Sequence, residues 1–139
     1  MLHVRTVEEA GEWNSLVRRL PAADVRQGWE WGELQRELGW RPLRVAASAD
    51  GEPVAAMSVL VRRVPGVGTL AYAPRGPVLD PTCAGSWSAL PALADVVRRE
   101  TRAVFLRASP PAVEGDRAWM PLESTGFRRV PELWSVWNT

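Results

Sequence analysis

The stretch Tyr72-Ala73-Pro74-Arg75-Gly76-Pro77-Val78-Leu79-Asp80 sets one cation and one carboxylate on a chain stiffened by two prolines. Proline fixes its own φ and restricts the residue before it, so Arg75 is held on a stiff connection between Ala73-Pro74 and Gly76-Pro77. A stiff connection of this kind suits holding a guanidinium against a phosphate or carboxylate. Two plainer readings stay open: a salt bridge for Arg75, and a helix-cap or turn role for Asp80 beside its proline.

A second candidate is Arg63-Val64-Pro65-Gly66-Val67-Gly68. It matches the R-x-x-G-x-G string with which N-acetyltransferases of the GNAT class hold the pyrophosphate of acetyl-CoA. That loop works because its amides lie at a helix amino terminus, where unpaired N–H groups and the dipole favour an anion. Here Thr69 to Tyr72 follows, alternating like a strand and running into Pro74, so the string is read as a hairpin turn. A third candidate, Gln27-Gly28-Trp29-Glu30-Trp31-Gly32-Glu33-Leu34 with Gly39-Trp40 behind it, reads first as a helix anchored in the core by its tryptophans.

Composition excludes several alternatives. The single cysteine, Cys83, forbids an internal disulfide, and with His3 as the only histidine no Cys/His zinc cluster can form. Neither a metal nor another cofactor is expected. All 17 basic residues are arginines, but 16 acidic residues leave a net charge of +1, too balanced to announce nucleic-acid binding. The pairs Arg18-Arg19, Arg62-Arg63, Arg98-Arg99 and Arg128-Arg129 are read as solvated helix faces or hairpin ends. With 46% apolar residues spread over 139 positions, the chain is expected to form one soluble domain spanning residues 1–139. The opening residues turn acidic and amphipathic where a secretory signal would stay apolar, so a cytoplasmic location is expected.

The elements that must position these residues follow from periodicity. Leu2 to Arg5 alternates as a strand, and Thr6 with Glu9 predicts a capping box before a helix carrying Val7, Ala10, Trp13, Val17 and Leu20 on one face, ended by Pro21. Gln27 to Leu38 predicts a second helix with Trp31, Leu34 and Leu38 as its buried stripe and Gly39 as its stop. Pro42 to Ala47 and Pro53 to Arg63 predict strands joined through Asp50-Gly51, and Thr69 to Tyr72 completes a meander. Ser86 to Thr101 predicts a helix with Leu90, Leu93, Val96 and Val97 inward. Val104-Phe105-Leu106 reads as a central strand covered on both faces. A short helix at Asp116 to Ser124 stopping at Gly126, then closing strands at Phe127 to Val130 and Trp134 to Trp137, would complete the chain. This order predicts an α+β domain with a mixed, mainly antiparallel sheet and helices on both faces, as in the GNAT fold.

Taken in order, the Q-x-W-E-W-G-E-L helix with its trailing Gly39-Trp40, the V-L-V-R-R-V-P-G-V-G-T-L-A-Y hairpin, P-R-G-P-V-L-D, V-F-L-R and L-E-S-T-G-F-R resemble the FemABX family of peptidoglycan-bridge aminoacyltransferases. Members carry two GNAT-like domains, and this chain resembles the first. The resemblance implies transfer of an amino acid from aminoacyl-tRNA to an amine of a cell-wall precursor, without acetyl-CoA, at the inner membrane surface. It implies that Tyr72, Arg75 and Asp80 lie near the precursor cleft, with Arg75 holding an anionic group and Asp80 orienting or deprotonating the amine. It sets Gln35 where many members carry a phosphate-binding lysine, with Arg36 as the neighbouring cation able to substitute. A chain matching one domain implies work within a homodimer or beside a second GNAT-like half, and Trp134 and Trp137 are candidate association residues. The alternatives are a non-catalytic GNAT-like binding or scaffold module and, last, an acetyl-CoA-dependent N-acetyltransferase.

Overall fold

The computed structural model describes residues 1–21, 23–110 and 117–129. Strand β1 (Leu2–Thr6) is followed by helix α1 (Ala10–Arg18), a 3-10 turn at Val25–Gln27 and helix α2 (Trp29–Glu37). Strands β2 (Arg41–Ala49), β3 (Glu52–Val64), β4 (Gly68–Pro74) and β5 (Val78–Leu79) come next, then helix α3 (Ala84–Thr101), strand β6 (Phe105–Ser109), a 3-10 turn at Arg117–Trp119 and the short helix α4 (Pro121–Ser124). The strands form one sheet in the order β1-β2-β3-β4-β6, with β5 paired to β3 beyond the end of β4. All pairings are antiparallel except β4 with β6. This is the mixed, mainly antiparallel sheet that the element order predicts.

Alternation along the strands gives the sheet two different faces. Val45, Ala47, Met57, Val59, Ala71 and Ala73 face α3, whose Leu90, Leu93 and Val97 are buried against them. On the other face Ala46, Ala56 and Val78 meet Trp13, Leu16 and Val17 of α1. Burying a Leu- or Val-sized side chain contributes roughly 1.5–3 kcal/mol, so the α3 face is the main source of stability.

The turns are where local sequence speaks most directly. Asp50 and Gly51 both take positive φ, 53° and 83°, as a two-residue hairpin of right-handed twist requires. Arg63 to Gly68 forms the β3–β4 hairpin, with the Val67 amide donating to the Val64 carbonyl at 3.0 Å. The R-x-x-G-x-G string therefore lies at a strand turn, away from any helix amino terminus.

Four expectations are corrected. The capping box does not form, because Thr6 is still paired to Val45 in the sheet and α1 starts only after Glu9, which makes no side-chain cap. The stripe of α2 is not buried: Leu34 and Leu38 are 53% and 62% exposed. The helix instead turns Gly32 onto β2, where an added Cβ would come within 2.5 Å of Arg44 Nη2. Strand β6 ends the sheet path among the described residues, with Val104 and Phe105 exposed and only Leu106 of the apolar run packed on the α3 core. Phe127 to Arg129 are not in a strand; Val130, the Trp134–Trp137 strand and the two tryptophans themselves lie outside the described residues.

The other tryptophans divide by role. Trp13, Trp87 and Trp119 are buried, the last two packed edge to face at 5.6 Å. Trp29 and Trp40 instead carry arginines: the Arg44 guanidinium lies 3.5 Å from the Trp29 ring centroid, and that of Arg62 lies 4.3 Å from Trp40. The arginine pairs sit on solvated ground, Arg98 and Arg99 both meeting Asp95 on the exposed side of α3.

Candidate functional site

The segment from Tyr72 to Asp80 is shaped by a break in the β3 ladder. The register that pairs Leu60 with Tyr72 would bring Ser58 opposite Pro74, while Ala56 pairs with Val78. Met57 alone therefore faces Arg75, Gly76 and Pro77, and the extra residues loop out. Pro74 has no N–H to give Ser58, so the ladder cannot continue there by main chain alone.

The buried amide of Gln27 takes the place of the missing bonds. Its Nε2 donates to the carbonyls of Ser58 (3.1 Å) and Pro74 (2.7 Å), and its Oε1 accepts from the Ser58 amide at 2.7 Å. Gln27 is held in turn by Trp13, whose indole N–H donates to the Gln27 carbonyl at 2.7 Å. A Cβ on Gly76 would sit 2.8 Å from Gln27 Nε2, so glycine is what allows the loop to close over the amide. Every buried polar atom of this junction is thereby satisfied, as a buried amide requires. In sequence Gln27 stands only as the first residue of the tryptophan-helix motif, with no role of its own. The signal was present in a glutamine ahead of the tryptophan helix and a proline ending a strand.

Arg75 stands on the looped-out turn with φ 56°, exposed, and its guanidinium makes no ion pair among the described residues. The salt-bridge reading thus finds no partner there. Asp80 accepts from the Thr82 hydroxyl at 2.6 Å and the Thr82 amide at 2.9 Å, closing the turn that leads into α3. Those bonds, the hydroxyl first, hold its carboxyl below the usual carboxylate range. Tyr72 lies mid-strand between Leu60 and Arg107, whose guanidinium is 6.0 Å from the ring centroid.

Gln35 and Arg36 lie on the last turn of α2. The Gln35 carbonyl accepts from the Leu38 and Trp40 amides, and Arg36 pairs with Glu33 at 3.3 Å. Glu33 also receives Arg44 Nη2 at 3.2 Å, and hydrogen bonding to Arg36 is the largest reason its carboxyl titrates low. Among the described residues no hydrogen bond or ion pair joins Gln35 or Arg36 to the Tyr72–Asp80 segment. Beyond the end of α2, Arg62 of β3 donates to the Leu38 carbonyl, stacks on Trp40 and is paired in register with Leu70 of β4.

Helices α1 and α2 lie over β1 to β3, and the same face of β4 and β6 carries Leu70, Tyr72, Phe105 and Arg107 without a helix over it among the described residues. The exposed Leu34 and Leu38 continue that surface along α2. The described residues hold no group of three or more His, Cys, Asp or Glu side chains that could hold a metal ion. Among the described residues the arrangement offers a guanidinium without an ion-pair partner on a clamped turn, an ionised carboxylate near it in sequence, and aromatic and cationic side chains on a stretch of sheet with no helix over it.

The fold is that of the GNAT acyltransferases. A ribosomal-protein-alanine N-acetyltransferase from Brucella melitensis matches 97% of this chain and 96% of its own at TM-score 0.60 and 16% identity. An aminoglycoside acetyltransferase from an uncultured soil metagenomic sample matches 94% and 93% at TM-score 0.63 and 14% identity. Within that class the sequence is similar to lipid II:glycine glycyltransferase of Staphylococcus aureus, 28% identical over 120 residues, or 84% of this chain. The crystal structure of FemX matches 88% of this chain at TM-score 0.74 and 23% identity. The resemblance to the FemABX family therefore holds in sequence and in fold. The chain spans 28% of the glycyltransferase and 30% of FemX. No family model matches the chain.

Proposed function

We propose that this chain is a FemABX-like aminoacyltransferase domain, equivalent to the first GNAT-like half of such a protein, that modifies a peptidoglycan precursor using aminoacyl-tRNA. The observation that carries this reading is the sequence likeness to lipid II:glycine glycyltransferase over 84% of the chain. The Arg75 guanidinium, exposed on its clamped turn and without an ion pair among the described residues, supports it by supplying a cation for an anionic group of the precursor. We further propose that the domain works in an assembly, either a homodimer or beside a second GNAT-like half.

The ester of an aminoacyl-tRNA is already activated toward an amine, so the protein's task is to align the two substrates and stabilise charge in the tetrahedral intermediate. Arg75 holds the precursor's anionic group, and Tyr72 lines the same surface. Asp80, kept ionised by Thr82, is a weak base and suits orienting the attacking amine by charge better than removing its proton. Gln35 supplies a neutral donor, and Arg36, whose exposed pair with Glu33 contributes only about 0.3–0.5 kcal/mol, is free to exchange that carboxylate for a phosphate. No helix of the described residues is long and apolar enough to cross a membrane, and we place the protein at the cytoplasmic face of the membrane, where a lipid-linked precursor is reached.

The test is transfer of a labelled amino acid from charged tRNA to a lipid-linked precursor, with the second half supplied where the gene neighbourhood encodes one. Activity lost in Arg75→Ala and Asp80→Ala is the expected result. Precursor binding without transfer under all pairings would favour a non-catalytic scaffold. An acetyl-CoA reading is disfavoured by the place of the R-x-x-G-x-G string in the β3–β4 hairpin, and tight acetyl-CoA binding by calorimetry would reverse that.

A further inference from the structure

We propose that Gln27 is the positioning residue for Arg75: its side-chain amide replaces one rung of the β3–β4 ladder and so holds the Arg75 turn out of the sheet, ready for an anion. The inference rests on the reading of Arg75 as the anion-binding cation.

An ordinary strand would continue its ladder at this point. With a residue other than proline at position 74, the main chain could close the rung with Ser58, its N–H bonding the Ser58 carbonyl and its carbonyl accepting the Ser58 amide. Pro74 removes the donor. A gap of that kind would leave the Ser58 amide and carbonyl and the Pro74 carbonyl unpaired in the interior, each a buried polar group stripped of water without a replacement bond. Gln27 fills the gap with the one side-chain group that carries both a twofold donor and an acceptor, and all three main-chain atoms are bonded to it. The main chain of Gln27 is held in turn by Trp13, whose indole N–H donates to the Gln27 carbonyl.

The geometry of the loop depends on this insertion. Gly76 lies against the Gln27 amide so closely that a Cβ there would meet three of its atoms at 2.8–3.1 Å. Arg75, immediately before Gly76 and immediately after Pro74, is thus fixed on both sides by contacts to a single side chain. Sequence supplies a matching set: a glutamine at 27, a proline at 74 and a glycine at 76, each of which makes sense only with the other two.

A residue that merely stabilises the fold and one that positions Arg75 are separated by a double variant. Gln27→Met keeps the volume and removes all three bonds. Adding Pro74→Val restores an N–H at position 74, which lets the main chain close the rung with Ser58 and draws the turn toward the sheet. Three quantities are read: thermal midpoint, inorganic pyrophosphate affinity from the Gly76 amide resonance, and tryptic cleavage at Arg75–Gly76 located by mass spectrometry.

We expect Gln27→Met to lower the midpoint, weaken pyrophosphate binding about tenfold or more, the loss of a charge-assisted contact, and speed cleavage at Arg75–Gly76. The double variant should regain much of the lost midpoint while pyrophosphate binding stays weak. Should Gln27→Met fail to fold, the double variant against wild type carries the comparison. Binding that recovers together with the midpoint overturns the proposal, as does unchanged affinity in Gln27→Met or a double variant no more stable than the single one. Arg75→Ala keeps the two readings apart. If it binds pyrophosphate as wild type does, the anion role of Arg75 falls, and with it the positioning role, whereas loss in Arg75→Ala beside full affinity in the double variant refutes the Gln27 role alone.

Discussion

The two faces of the sheet are built on different terms. Against α3, apolar side chains from β2, β3 and β4 close on Leu90, Leu93 and Val97 in one buried cluster. On the opposite face α1 and α2 cover only the β1 to β3 half, and polar devices do much of the holding: the Gln27 amide at the ladder gap, Arg44 beneath α2, Arg62 on Trp40. The difference separates the part of the molecule that supplies stability from the part that presents groups to a ligand. A face held by directed bonds can leave strands β4 and β6 open beside it, whereas an apolar face left open would be an association site.

The largest effect that follows belongs to the closed face. Leu93→Ala or Leu90→Ala is expected to cost about 2–5 kcal/mol in denaturant unfolding, since each side chain is fully buried and its cavity cannot refill. A cost below about 1 kcal/mol would mean that α3 is not the core partner of the sheet. Next comes Arg44, 4% exposed, bonded to the Trp29 carbonyl and Glu33, and with its Nε unsatisfied. Arg44→Ala should destabilise by about 1–3 kcal/mol, and Arg44→Met by less, because a well-packed apolar chain of similar size removes the orphaned donor along with the charge. Equal losses from the two variants would show that charge, and not packing, keeps α2 in place.

The open face should behave in the opposite way. Arg107→Ala is expected to change stability by under about 0.5 kcal/mol while weakening precursor binding, so stability and ligand affinity part company there. The smallest effect is electrostatic. Removing the Thr82 hydroxyl in Thr82→Ala should move the Asp80 carboxyl back up toward the ordinary aspartate range, readable by carboxyl NMR titration. The sign is that of a depressed carboxylate: the turn's contribution is present above the unfolded value and is lost as pH falls through the lower folded one. An Asp80 titration unmoved by Thr82→Ala would mean the Thr82 hydroxyl is not its main partner.

Sequence legibility follows the same division. The Asp50-Gly51 hairpin, the R-x-x-G-x-G turn and the inward face of α3 could all be read, because each depends on a local rule: positive φ, strand alternation, helical period. The stripe assigned to α2 failed because period alone does not say which side of a helix is covered, and here the small Gly32, not Leu34 or Leu38, is the side that approaches the sheet. The run Val104-Phe105-Leu106 misled for a related reason, since an apolar strand residue is buried only where another layer lies over it. Gln27 was invisible for a different cause: its role depends on Ser58 and Pro74, which are 31 and 47 residues away in sequence and meet it only in the fold. The Tyr72–Asp80 turn could be seen as rigid and charged, but what makes it rigid could not.

The central claim is that the clamped turn presents Arg75 to an anionic group of a cell-wall precursor. The most direct measurement is calorimetric titration of the protein with a water-soluble peptidoglycan precursor carrying a pyrophosphate, wild type against Arg75→Ala. We predict saturable binding weakened about tenfold or more by the substitution, with the fold unchanged by circular dichroism. Equal affinity in the two proteins, or no binding to wild type beside its assembly partner, would contradict the account.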